Sequence, residues 1–212
     1  MKLATELYAV QAARWPKSGR HILAHYDAET IVVYQAYKPS TCDWSIAHSQ
    51  LGGPEFSFNR MSWIKPNFLW MMYRCGWASK ENQETVLGLR ISRAFFESIL
   101  EEAVPSTFDP TLYPDIPSWK AGVATSDVRL QWDPDHDPSG APVDRRAIQL
   151  GLRNRVLRAF ASEQIREVID MTAFVHEQAA HVGASTLRMP IERPYAPEKT
   201  AASRQIGLDP AP

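Results

Sequence analysis

The sequence predicts an α+β protein. One domain spans residues 1–195, with a mixed or antiparallel central sheet flanked by helices, and residues 196–212 form an extended or frayed C-terminal tail. Three observations predict it. Runs rich in β-branched and aromatic residues, such as Thr30-Ile-Val-Val-Tyr-Gln-Ala-Tyr37, alternate with stretches whose apolar residues recur at helical spacing. No internal repeat and no linker divides the chain. The 212 residues are 44% hydrophobic and 22% charged, so the chain can bury a sizeable core without staples.

Each element has a local reason. Leu3, Leu7, Val10 and Gln11 predict an amphipathic helix over 3–14, stopped near Pro16. Residues 21–26 and 30–37 read as two strands of a hairpin, with Asp27-Ala28-Glu29 between them. Pro39-Ser40-Thr41 opens a helix that Gly52-Gly53 ends. Pro66 suits the first position of a helix over 66–75, closed by Gly76 and apolar nearly all round, hence buried. Residues 85–91 are a strand. Ser92 then caps a helix with the stripe Phe95, Phe96, Ile99 and Leu100. Residues 104–118 hold four Pro and read as a surface loop. Strands follow at 127–133 and 146–152, then helices at 154–162 and 165–182.

Composition narrows the function. A net charge of −1 supplies no global field for duplex nucleic acid or anionic membrane. Cys42 and Cys75 make neither a disulfide framework nor a zinc knuckle. No signal-peptide stretch or membrane-length apolar run is visible, and a cytoplasmic location is the expectation.

Residues 60–77 are the densest segment in unusual side chains. They hold Trp63, Trp70, Trp77, Met61, Met71 and Met72 beside Arg60, Lys65 and Arg74. Large aromatics beside cations suit a flat anionic ligand such as a nucleotide, with phosphates met by Arg forks and a helix N-terminus. The same pattern also describes a core helix with snorkelling ends. Phe68, Leu69 and Met72 fit the core. Arg60 and Lys65 precede the helix, where a cation gains nothing from the dipole, so they fit a site.

Three further constellations stand out. In 31–37, Tyr34 and Ala36 share one strand face and Gln35 and Tyr37 the other, and a central-strand Gln needs a partner or a ligand. Five Arg fall within Arg145–Arg158, a concentration open to nucleic acid or another anion. Arg153 is its ligand candidate, while Arg155 and Arg158 suit a solvated face paired with Glu163 and Glu167. Asp133, Asp135 and Asp137 imitate a calcium loop, but Pro138 occupies the position of the required Gly and no Glu closes it; no metal is expected. His176 and His181 lack the i, i+4 ligand spacing, and no GxSxG, Walker, GxGxxG or zinc pattern occurs.

Several blocks together carry a resemblance. Residues 30–37, the stretch from Arg60-Met-Ser-Trp-Ile-Lys-Pro to Arg74, residues 128–134, residues 147–153 and residues 190–195 resemble a domain-of-unknown-function family of bacteria and fungi. More distantly, the arrangement is similar to ADP-ribosyltransferase folds. That resemblance implies an ADP-ribosyltransferase-like sheet and a nucleotide, NAD, as the bound substrate. Tyr34-Gln35-Ala36 would take the first motif, Met61-Ser62-Trp63 the second and Gln149 the third. Gln35, Ser62 and Gln149 are then the catalytic candidates. Tyr34 and Trp63 would stack on a ring, and Arg60, Lys65 and Arg153 would hold phosphate. Gln35 replaces the cation that grips NAD, a role open to Arg60, Lys65 or Arg20. Gln149 replaces a Glu, leaving the acid to another residue such as Glu55. The alternatives are a module binding single-stranded nucleic acid through exposed Trp and Arg145–Arg158, and a protein-interaction domain anchored by Trp and Met.

Overall fold

The computed structural model describes residues 3–210. The ends of the two expected segments, residues 1–2 and 211–212, lie outside these. In chain order the elements are β1 (Thr5–Leu7), α1 (Tyr8–Arg14), β2 (Gly19–Arg20), β3 (Ile22–Ala24), β4 (Thr30–Tyr37), α2 (Pro39–His48), β5 (Ser62–Ile64), α3 (Phe68–Cys75), β6 (Thr85–Ser92) and α4 (Arg93–Glu102). There follow β7 (Ala103–Pro105), α5 (Ile116–Thr125), β8 (Val128–His136), β9 (Pro142–Leu152), α6 (Asn154–Ala159) with a π-helical turn (Phe160–Gln164), β10 (Ile165–Asp170), α7 (Thr172–Ala179), β11 (Arg188–Pro190), β12 (Arg193–Tyr195) and α8 (Thr200–Gln205). The class is α+β, with a curled mixed sheet. No helix among the described residues is long and apolar enough to cross a membrane.

Two sheets carry the architecture. β4 and β10 flank β6, all antiparallel. β8 and β9 form a long antiparallel hairpin, with β7 parallel on the free edge of β8. β9 pairs with β2 near its start and with β5 near its end. The sheets meet where Tyr34 of β4 bridges Lys65, just past β5. β4 is buried on both faces, as its near-continuous Ile-Val-Val-Tyr run requires. Ile31 and Val33 join Phe96, Leu150 and Leu152 in one core, whereas Val32 and Tyr34 join Phe68, Met72 and Val175 in the other.

The caps explain the helix boundaries. Ser92 accepts the Phe95 N–H and starts α4 as expected. Pro66 is not the first residue of α3, because Lys65 is still extended in its bridge to Tyr34. Asn67 is the cap instead, accepting the Trp70 N–H at 2.7 Å. Glu192 reaches in between β11 and β12, and its Oε1 accepts the Phe68 N–H at 2.7 Å. The Glu192 backbone is held in turn, its N–H by Gln11 Oε1 and its C=O by Trp15 Nε1.

Four expectations are corrected. Residues 5–7 form a strand paired with β11, so the N-terminal helix is only Tyr8–Arg14. The Pro-rich 104–118 stretch runs into helix α5, which Asp115 caps by accepting the Ser118 N–H. Residues 165–170 are not helical; they pair with β6 as an edge strand, with a register shift between Ile165 and Glu167. Residues 196–210 are not an extended tail. Helix α8 docks there, Ala202 and Ile206 are fully buried, and Trp132 Nε1 donates to Ile206 O at 2.7 Å.

Candidate functional site

The bridge between Tyr34 and Lys65 is isolated, and beyond it β4 and β5 diverge. A cleft of about 630 Å³ opens in the split, within the range of small-molecule sites. Its floor is the end of β4 (Gln35 to Tyr37) and the start of β5 (Ser62 and Trp63), with Lys65. Arg60, Met61 and, from α3, Met71 and Arg74 also line it.

The polar floor is linked. Gln35 Nε2 donates to Ser62 Oγ at 2.7 Å and to Trp63 O at 3.2 Å. Tyr37 Oη lies 3.3 Å from the same Ser62 oxygen, and burial raises its phenol pKa. Lys65 is 5% exposed. Its Nζ donates to Trp63 O at 3.5 Å, and it makes no ion pair among the described residues. Burial first, then the Arg74 cation, lowers the ammonium pKa to about 8. Arg60 and Arg74 are exposed at the mouth. Glu55, also at the mouth, binds Lys38 and Ser40, and these hydrogen bonds hold its carboxyl below its ordinary value.

The structure thus brings Gln35, Ser62, Trp63, Lys65 and Arg60 to one cleft. Three other candidates are placed elsewhere. Tyr34 is fully buried, edge-on to Phe68 with ring centroids 5.5 Å apart, so it cannot stack on a ligand. Gln149 does not meet Ser62. Ile64 and Leu150 pair and both face the core, so Ser62 shares their side of the sheet and Gln149 lies on the other. There its Nε2 donates to Gln131 Oε1 and Asp133 Oδ2, both at 2.7 Å. Arg153 is spent on backbone carbonyls just past α5, donating to Ser126 O at 2.8 Å; a cation there is favoured by the helix dipole.

The basic segment also disperses. Arg145 is buried against Asp135 and donates to Pro16 O. Arg155 pairs with Glu102, and Arg158 lies over Phe58, so neither meets Glu163 or Glu167 as expected. The Asp-rich stretch is used internally: Asp135 holds Arg145, and Asp137 accepts the N–H groups of Ser139 and Ala141.

Sequence reasoning left Tyr37, a polar cleft residue, without a role. Tyr37 was legible, since it shares a strand face with Gln35. Arg74, one of the cations that the sequence sets beside the aromatics of 60–77, lines the cleft with Arg60 and Lys65. Asp133, the first of the three Asp that imitate a calcium loop, lies outside the cleft lining; burial raises its carboxyl pKa, and the charges of Arg74 and Lys65 reach it.

Fold and site together define an α+β protein whose curled mixed sheet splits to form a cation-rich cleft. The chain belongs to the family described as Domain of unknown function (DUF4291), whose model matches residues 21–195. The match runs from just before β3 to the end of β12 and contains every cleft residue named above. Comparison with curated proteins gave no match.

Proposed function

We propose that the cleft binds NAD or a related nucleotide and that the protein is an ADP-ribosyltransferase-like enzyme. The observation that carries this reading is Lys65, a buried ammonium in a cleft with no ion-pair partner among the described residues. A cation is seldom buried unpaired, and a ligand rich in anionic and acceptor oxygens supplies what the protein withholds. Arg60 and Arg74 at the mouth meet the phosphates, and Lys65 adds positive charge at depth. Trp63, which lines the cleft, takes the stacking role that Tyr34 cannot. Ser62 and Tyr37 hydrogen-bond ribose hydroxyls, with Gln35 orienting Ser62.

In the transfer, an acceptor nucleophile bonds to the anomeric carbon as the ribose–nicotinamide bond breaks. Nicotinamide leaves neutral with the electron pair, and the acceptor's proton is released. A nucleic-acid base and a protein side chain are both candidate acceptors.

Calorimetry and thermal shift against NAD, ADP-ribose and ATP test the binding. Incorporation of labelled ADP-ribose into protein, RNA or single-stranded DNA tests the chemistry. NAD binding with release of nicotinamide is expected. Absence of an NAD response together with absence of incorporation overturns the reading.

A further inference from the structure

Gly151 has no backbone reason to be glycine. It lies inside β9, directly opposite Trp63 of β5 on one side and Arg129 of β8 on the other, and neither pairing shifts register there. Its φ is not positive. A glycine inside a strand costs conformational entropy and offers no side chain to pack. What it offers is room. A Cβ at position 151 would stand 2.9 Å from Met61 Cγ, closer still to Met61 Sδ, and 3.1 Å from Trp63 Cε2. Met61 and Trp63 therefore lie over the bare strand, on the face away from the core residues Leu150 and Leu152. Both stay partly exposed and line the cleft. Packing alone would bury the groups for which a strand gives up its side chain. Here those groups form an open wall.

We propose that Gly151 is a positioning residue of the cleft: its missing side chain seats Met61 and Trp63 against β9, and the hollow so kept takes the planar ring of the nucleotide. The inference rests on the nucleotide reading of the cleft. A methyl at 151 leaves the strand backbone undisturbed. Met61 gives way first, because its side chain is flexible, and with β9 behind it the way out is into the cleft. Trp63 then has to give by a few tenths of an ångström. The ring meets side chain where it had met space.

The test is calorimetry of the full chain with NAD, on wild type, Gly151→Ala, Met61→Ala and the double variant. Gly151→Ala should weaken NAD binding about tenfold. The double variant should bind within about threefold of Met61→Ala, because the sulfur that the new methyl strikes is gone. A second readout needs no ligand: the indole N–H resonance of Trp63, assigned with Trp63→Phe. It should shift in Gly151→Ala and return to its Met61→Ala position in the double variant. Melting curves identify a variant that fails to fold. If Gly151→Ala does, the double variant against Met61→Ala carries the test, and a double variant that also fails to fold overturns the inference.

Gly151→Ala folding and binding NAD within about threefold of wild type overturns it as well. So does a double variant that loses as much against Met61→Ala as Gly151→Ala loses against wild type. No response of wild type to NAD, ADP-ribose or ATP overturns the nucleotide reading instead. The Trp63 resonance then still decides the seat: a shift that Met61→Ala reverses supports it, and an unmoved signal overturns it.

Discussion

Tyr34 and Lys65 exchange two backbone hydrogen bonds, Tyr34 N–H to Lys65 O at 2.7 Å and Lys65 N–H to Tyr34 O at 3.3 Å, and this pair is the seam between the two sheets. Tyr34 turns its ring into the core, and Lys65 lines the cleft.

The seam makes Lys65 a stability liability with a defined sign. Its folded pKa, about 8, lies below the ordinary 10.5. Between these values the unfolded chain binds more protons, so stability rises with pH across pH 8 to 10.5. Below pH 8 the full cost is present, on the order of 3 kcal/mol. Lys65→Met should therefore be the more stable protein at pH 7, and the gap should close by pH 10.5. Denaturant titrations of both proteins across that range check it. A gap independent of pH would contradict the argument.

Among the described residues Arg145 and Asp135 form the most buried ion pair, with the Arg145 guanidinium also over the Trp15 ring at 5.3 Å. Arg145→Met leaves Asp135 charged and unpaired and should cost about 3–5 kcal/mol. Urea unfolding measures this. Affinity for a single-stranded oligonucleotide, followed by fluorescence anisotropy, should be unchanged, because Arg145 is not on an open surface.

These residues also show where sequence is informative. β4 was readable because Ile31, Val32, Val33 and Tyr34 have high strand preference whichever face they bury. Residues 165–170 were not, because Ile-Arg-Glu-Val-Ile-Asp follows a helix and its apolar spacing fits either period; pairing with β6 decided the matter. In the site, Gln35, Ser62, Trp63 and Lys65 were legible as polar or aromatic groups at the ends of apolar elements. Tyr34 and Arg153 were misplaced for a common reason. Strand alternation and chain order say which residues share a face, but not that Phe68 packs against one ring or that the carbonyls following α5 claim the other side chain.

Trp63 is the remaining aromatic candidate for ring stacking in the cleft. Trp63→Ala should weaken NAD binding by about 1–3 kcal/mol, the usual contribution of one stacked base. The thermal midpoint of the unliganded protein should move less than that of core variants, since Trp63 is only partly buried. Calorimetry and a melting scan separate the two effects.

The C-terminal helix should behave as core. Ile206 is fully buried in the cluster that contains Phe96, Leu100 and Ala103. Ile206→Ala should cost about 2–5 kcal/mol by lost transfer energy and the cavity left behind. An extended or frayed tail would lose almost nothing, so the denaturation midpoint distinguishes the two.

Glu192 supplies the opposite pH signature to Lys65. Its carboxyl is buried, with Oε1 accepting the Phe68 N–H and Oε2 unpartnered. Burial raises its pKa well above the ordinary 4.5, and the backbone hydrogen bond from Phe68 lowers it only in part. For an acid raised on folding, the folded state holds the proton longer. Stability is therefore undiminished below pH 4.5 and falls as pH climbs above it, where the unfolded chain ionises first. Glu192→Gln keeps an oxygen for the Phe68 N–H and cannot ionise. It should match wild type near pH 4 and exceed it at pH 7, with the difference growing steadily between. Paired urea titrations at pH 4, 5.5 and 7 provide the measurement. A Gln variant weaker than wild type at pH 7 would mean that the ionised carboxylate itself holds the start of α3.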